Sequence, residues 1–171
     1  MDGIDGLLGN CAILLILLSI FLNKSYSLLP LVGSLLAFSF FNWNPAKTFM
    51  GDCGSTYLAG ILVSCIFGSQ SINNSFSIII ASSPLLLDAL TTVIRRFLNK
   101  ENILLPHKKH LFQRLLIAGY KQKEISLIYI LSVLLLSLST IFLNFYFQVL
   151  LFLIILVFGI YLDRYKAESF N

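Results

Sequence analysis

The chain has 171 residues, 57% of them hydrophobic and 12% charged, with a formal net charge of +4 and a mean hydropathy of +0.87. A soluble domain carries about 25% charged residues, so this composition excludes a disordered chain, a collagen-like fibre and a secreted disulfide scaffold. It also leaves too few polar side chains to cover a water-facing surface. The bilayer is the remaining solvent. Cys11, Cys53 and Cys65 are odd in number and scattered, so neither a disulfide framework nor a CxxC metal pattern follows. Cys11 and Cys65 read as small apolar fillers.

A spanning helix needs about 20 mainly apolar residues. The hydropathy pattern predicts an all-α polytopic membrane protein with about six spans: Leu7–Leu22, Ser27–Phe41, Thr56–Gln70, Phe76–Ile94, Ser126–Leu143 and Tyr146–Leu162. The first three are short, so flanking polar residues are expected to extend them. Asp2 and Asp5 precede the first run, which is unlike a signal peptide with its positive n-region.

Before that run stands Met-Asp-Gly-Ile-Asp-Gly-Leu-Leu-Gly, with two carboxylates three residues apart. On a helix, Asp2 and Asp5 share a face; in a loop, the glycines let a ligand approach the backbone. Simple acidic capping of the first helix accounts for the same residues. Between the second and third spans lies Asn42-Trp-Asn-Pro-Ala-Lys-Thr-Phe-Met-Gly-Asp-Cys-Gly-Ser55. Asp52 there is expected in a turn just before the third span. It offers a hard oxygen ligand for Mg²⁺, which takes one or two carboxylates and completes its shell with water and phosphate. Helix capping by Asp52 or Ser55 is the competing account.

The fourth span contains Pro84-Leu-Leu-Leu-Asp88. An acid inside a span is costly and faces a partner or a cavity; Arg95 or Arg96 lies at helical spacing. Eight of the twelve Lys and Arg residues fall between Arg95 and Lys123, and the positive-inside rule assigns that segment to the cytoplasm. Threading from there puts both termini, Asn42–Ser55 and the basic loop 95–125 on the cytoplasmic face. Within the loop, Pro106-His-Lys-Lys-His-Leu-Phe-Gln-Arg suits a phosphate-bearing substrate better than zinc, since it supplies His107, His110, Lys108, Lys109 and Arg114 but no cysteine. A solvated basic face is the plainer alternative. His110–Ile117 has helical apolar spacing and is expected to form a short helix at the interface. Nucleic acid is not expected as a partner, because no soluble basic module exists to hold it.

Taken in order, MDGIDGLLG, NWNPAKTFMGDCGS and PLLLD…RR…PHKKHLFQRL resemble the motifs of the polyprenyl-phosphate N-acetylhexosamine-1-phosphate transferases of glycosyltransferase family 4. That family includes the phospho-MurNAc-pentapeptide and undecaprenyl-phosphate GlcNAc-1-phosphate transferases. The resemblance runs from Asp2 to about Gly119. It implies transfer of a sugar-1-phosphate from a UDP-amino sugar to polyprenyl phosphate at the inner, cytoplasmic membrane, with release of UMP and help from Mg²⁺, or Mn²⁺ as an alternative. On the same basis Asp52 is the metal-binding acid, Phe49 stacks on uracil and Asn42 is a polar nucleotide contact. Asp5 is placed near the base, Asp2 supports the site, and His110 belongs to the family's histidine loop.

Two departures accompany the resemblance. The family's aspartate-rich motif on an earlier loop has no counterpart among the eight acidic residues. The chain is therefore expected to correspond to the C-terminal portion of a larger transferase fold, to have a missing N-terminal half or a second copy in a homodimer as its partner, and to transfer little on its own. The loop reads His-Lys-Lys-His rather than His-x-His-His, which is closer to the branch acting on modified deoxy-amino sugars in lipopolysaccharide or capsule synthesis. GlcNAc, FucNAc and QuiNAc all remain open as the sugar. An inactive membrane fragment is the alternative, and a transporter of anionic lipid or sugar phosphate is a weaker one.

Overall fold

The computed structural model describes residues 3–103, 105 and 107–170. Within them every regular element is helical: α1 (Leu7–Asn23), a 3₁₀ turn at Tyr26–Leu28, α2 (Leu29–Asn42), α3 (Gly51–Phe67), α4 (Ile72–Leu98), α5 (Leu111–Ile117), α6 (Gln122–Phe142) and α7 (Phe145–Tyr165). Each of the six expected spans has its helix. α4, α6 and α7 are long and apolar enough to cross a membrane, while α1, α2 and α3 are shorter apolar helices. At 1.5 Å per residue, α4 extends about 40 Å and α1 about 26 Å. α5 is the short helix expected in the basic loop.

Several boundaries differ from the hydropathy reading, those of α3 and α4 most usefully. α3 begins at Gly51 rather than Thr56, so Asp52 lies within its first turn, where the positive end of the helix dipole favours an acid. α4 begins at Ile72 and ends at Leu98, because Asn73, Asn74 and the arginines extend it past the apolar run.

α1 is the central helix. Leu7, Cys11, Leu15 and Leu18 pack with Ile78, Ala81 and Leu85 of α4, Ile125, Tyr129, Val133 and Leu136 of α6, and Phe112 and Leu115 of α5. Its other side, Ala12, Ile13, Ile16 and Ile20, packs with Val32, Leu35 and Leu58 of α2 and α3. A helix apolar on all sides is a buried one. α2, α3 and α7 keep large outward apolar faces, including Phe40, Phe67, Val157 and Phe158.

Buried polar groups clasp these helices, since bare N–H and C=O groups are costly in hydrocarbon. Gln148 of α7 is fully buried. Its Nε2 donates to the Ser77 carbonyl at 3.1 Å and to Thr140 Oγ1 at 2.6 Å, while Ser77 Oγ donates to its Oε1 at 3.1 Å. Near that end, Asn23 donates to the Cys65 carbonyl and Asn74 to the Leu22 carbonyl. The opposite end gathers residues 4–6, 42–52, the 99–111 loop and the C-terminal tail.

Candidate functional site

At the polar end the chain reverses into α1 through Gly6, whose φ of 72° lies in the left-handed region. A Cβ there would sit 2.8 Å from Cε3 of Trp43, so both the backbone and the indole require glycine. The Gly6 N–H donates to Asn42 Oδ1 at 3.1 Å, and Asn42 Nδ2 donates to the Thr48 carbonyl at 2.8 Å. Asn42 is 5% exposed. Its amide ties the start of α1 to the 43–50 loop instead of pointing into open space.

Asp5 is the hub of this segment. Its Oδ2 accepts from Asn44 Nδ2 and from the Ala46 N–H, each at 3.0 Å. The Gln122 amide, with its nitrogen turned to the carboxylate, donates to both oxygens at 3.0 and 3.1 Å. Ser126 Oγ donates to the Asp5 carbonyl at 2.7 Å. Asp5 therefore joins the N-terminal loop, the 43–50 loop and the start of α6. It does not cap α1, which has Gly6 at its N-cap and no acid in its first turn. Asp2 lies outside the described residues.

Asp52 differs in kind. It is exposed, and its carboxylate has no hydrogen bond or ion pair among the described residues, although Ser55 Oγ donates to its backbone carbonyl at 3.1 Å. Phe49, three residues earlier, is 66% exposed. Among the described residues no group of three or more His, Cys, Asp or Glu could hold a metal, so a closed protein cage is absent there. One exposed, unpaired carboxylate fits an ion that takes the rest of its shell from water and substrate phosphate.

The basic loop is more neutralised than its composition suggests. Buried Arg96 donates to the carbonyls of Asn102, Ile103 and Leu105 and pairs with Glu101 at 3.3 Å. Lys109 pairs with Glu101 at 2.8 Å. Arg114, read from sequence as a substrate cation, is 5% exposed. Its Nη1 meets Asp163 Oδ1 at 2.5 Å and its Nε donates to the Glu168 carbonyl at 2.6 Å. Arg95 also pairs with Asp163, at 2.5 Å. Phe170 lies beneath Arg95, Lys109 and Arg114, with each cation within 5.4 Å of its ring centroid, at cation–π range. Lys108 is exposed and carries no ion pair among the described residues.

These bonds shape the loop's titration. Lys109, with Arg96 beside it, holds the Glu101 carboxyl below its ordinary value. Desolvation holds the His107 imidazole below its ordinary value, with added repulsion from Arg96, His110 and Lys109. His107 Nδ1 accepts from the Lys109 N–H at 3.3 Å.

Asp88 does not pair with Arg95 or Arg96. Its Oδ1 accepts from the Leu111 N–H at 2.8 Å and its Oδ2 from the Tyr129 hydroxyl at 2.7 Å. It borders a cavity of about 390 Å³ between α4, α6 and α7, whose wall includes Pro84, Tyr129, Phe152 and Asp163. Sequence reasoning did not anticipate Asp163, Gln122, Tyr129 or Phe170 in this region. For Asp163 a signal existed: an acid at the same membrane edge as the arginines has a charge to meet.

Comparison with known proteins bears on this end of the bundle. The family profile described as Glycosyl transferase family 4 matches residues 1–70. The chain is 34% identical over 156 residues to a probable undecaprenyl-phosphate N-acetylglucosaminyl 1-phosphate transferase of Bacillus subtilis, covering 84% of this chain and 43% of that protein. It is 34% identical over 131 residues to a phospho-N-acetylmuramoyl-pentapeptide-transferase of Kosmotoga olearia, covering 73% and 40%. A Chlamydia muridarum protein of the latter name is 28% identical over 104 residues, covering 55% and 30%. The chain thus spans less than half the length of these homologues. No solved structure matches it.

Proposed function

We propose that this chain, a homologue of family 4 sugar-phosphate transferases, builds part of a site that moves a sugar-1-phosphate from a UDP-N-acetylhexosamine-type donor to polyprenyl (undecaprenyl) phosphate, releasing UMP. One observation carries the reading. The described residues of all three family strings lie toward one end of the bundle, and there every described acid of those strings except Asp52 has a side-chain partner.

The division of labour follows from the contacts. Asp5 and Asn42 act as positioning residues, because their polar atoms hold the loop that leads to Phe49 and Asp52. Phe49 is free to stack on a nucleobase. Asp52, on the first turn of α3, would hold Mg²⁺, with Mn²⁺ as the alternative. When bound, that ion supplies charge stabilisation for the pyrophosphate and the departing UMP. Phosphoryl transfer rests mainly on such positioning and electrostatics. Of the cations in the 107–114 string, Lys108 is the one with no ion pair among the described residues and would meet a phosphate, whereas Lys109 and Arg114 shape the loop through Glu101 and Asp163. The acceptor's isoprenoid tail dissolves only in lipid, which accounts for polar chemistry set at the end of an apolar bundle. The Lys and Arg distribution supports a cytoplasmic orientation of that end.

The test uses a chimera in which these residues replace the corresponding part of the Bacillus subtilis homologue. Radiolabel from UDP-sugars should enter the lipid extract. Asp52→Asn should abolish that transfer with little loss of melting temperature, since among the described residues its carboxylate has no bond to lose and only a helix-dipole contribution of about 0.3–1 kcal/mol goes. Undiminished turnover in Asp52→Asn removes this residue from the metal role.

A further inference from the structure

His110 is held from three sides. Its ring stacks on Phe112 with centroids 5.3 Å apart and planes 9° apart, and the His107 ring lies 5.0 Å away. Its backbone N–H donates to Gln113 Oε1 at 3.2 Å. The side chain keeps 19% exposure, yet Nδ1 is sealed and has no hydrogen-bond partner. The nearest charge to that nitrogen is Asp88 Oδ1 at 3.6 Å. The Asp88 side chain is itself 2% exposed and fixed by the Leu111 N–H and the Tyr129 hydroxyl.

This juxtaposition selects a tautomer. A neutral imidazole carries one N–H and one lone pair. A lone pair on Nδ1 would face a carboxylate oxygen across a buried gap, where like polarity is strongly penalised. An N–H on Nδ1 points its positive end at that oxygen. A separation of 3.6 Å is longer than a hydrogen bond, and such contacts in ligand-free sites shorten when the complex forms. The same carboxylate also holds the N–H of Leu111, the residue next to His110, so the ring and its backbone share one anchor.

We propose that Asp88 is a positioning residue for His110: it holds the proton on Nδ1 and leaves Nε2 as the basic nitrogen on the accessible side of the ring. What Nε2 then contacts rests on the transferase reading; the tautomer does not. An acid six residues from the end of an apolar run is thereby given a task that offsets the cost of its burial. Other charged and titratable groups lie on the elements packed around the pair. Arg96 lies on α4; Glu101, His107 and Lys109 lie in the loop; Arg114 lies on α5; Tyr129 lies on α6; Asp163 lies on α7. None of these lies within ion-pair distance of the Nδ1 atom; among the described residues Asp88 alone does.

The chain contains two histidines, so a His107→Gln background leaves one imidazole to observe. Nitrogen-15 spectra of histidine-labelled protein in lipid nanodiscs at alkaline pH should show His110 protonated at Nδ1. Adding Asp88→Ala should move the proton to Nε2, the form favoured by free imidazole side chains. If Asp88→Ala does not fold, Asp88→Leu, close in volume and without an acceptor, substitutes for it and should give the same shift toward Nε2–H. A parent spectrum already in the Nε2–H form overturns the proposal, as does a tautomer unaltered by loss of the carboxylate. In the transfer-competent chimera, Asp88→Ala should lower kcat by about 10²-fold, the lower range for a positioned acid–base group, with donor KM unchanged. A chimera that transfers nothing before any substitution refutes the transferase reading and leaves the tautomer measurement to decide on Asp88.

Discussion

Replacing Asp163 by asparagine tests whether the C-terminal helix is locked to the basic loop by charge. The carboxylate meets Arg114 at 2.5 Å and Arg95 at 2.5 Å. Asparagine keeps the volume and an acceptor but removes the charge, so two guanidinium groups are left without a counterion. The two halves of the bridge differ in weight. The Arg114 side chain is 6% exposed and the Arg95 side chain 40%. Removing one partner of a buried pair costs about 3–5 kcal/mol, whereas an exposed pair is worth about 0–1 kcal/mol. With the amide still accepting one hydrogen bond, the loss is about 3 kcal/mol, nearly all of it from Arg114. For a chain of this size that corresponds to a fall in Tm of roughly 6–12 °C, at 2–4 °C per kcal/mol. Thermal unfolding in detergent micelles, followed through Trp43 fluorescence and calorimetry, reads it directly. Arg95→Met is the control and should cost less than about 1 kcal/mol. The reasoning is refuted if Asp163→Asn melts within about 2 °C of the parent, or if the control is equally damaging.

Two further outcomes are expected. Gly6→Ala should cost about 1–2 kcal/mol from the left-handed backbone alone and more from the indole 2.8 Å from the new Cβ; it should also shift Trp43 emission, and unchanged emission with an unchanged Tm would contradict the packing. Acidification should loosen the 99–110 loop. Both Glu101 and His107 have folded-state pKa values below their ordinary 4.5 and 6.5, so their contribution is complete above those values and is lost as pH falls through the lowered ones. A spin label at residue 100 should gain mobility in two stages, the first below about 6.5 as His107 protonates and the second below about 4.5 as Glu101 does, and a flat profile from about pH 8 down to about 3 would refute the assignment.

Hydropathy revealed all six spans because each is a continuous apolar run, and helical spacing revealed α5. The family strings exposed Asp5, Asn42 and Asp52 as residues to watch, but not their different duties. Those depend on partners far along the chain: Gln122 for Asp5, Gly6 for Asn42, and none among the described residues for Asp52. Arg114 illustrates the same limit. A basic loop looks like an anion site until its counterion appears 49 residues later in α7. Asp88 was legible as costly, and the adjacent arginines were the obvious candidates. Instead the loop fold brings the Leu111 N–H and the Tyr129 hydroxyl to it from 23 and 41 residues away. Helical periodicity identifies neighbours on one helix and says nothing of these.

The anchoring of Asp5 by Gln122 and Ser126 sets an order of events during biogenesis. The two contacts span 117 and 121 positions, and ribosomes add about 5–20 residues per second. The opening motif therefore waits roughly 6–24 s, at those speeds, for its far wall to be synthesised. Until α6 emerges and inserts, Asp5 is without the Gln122 and Ser126 side of its anchoring and is held from the 43–50 loop alone.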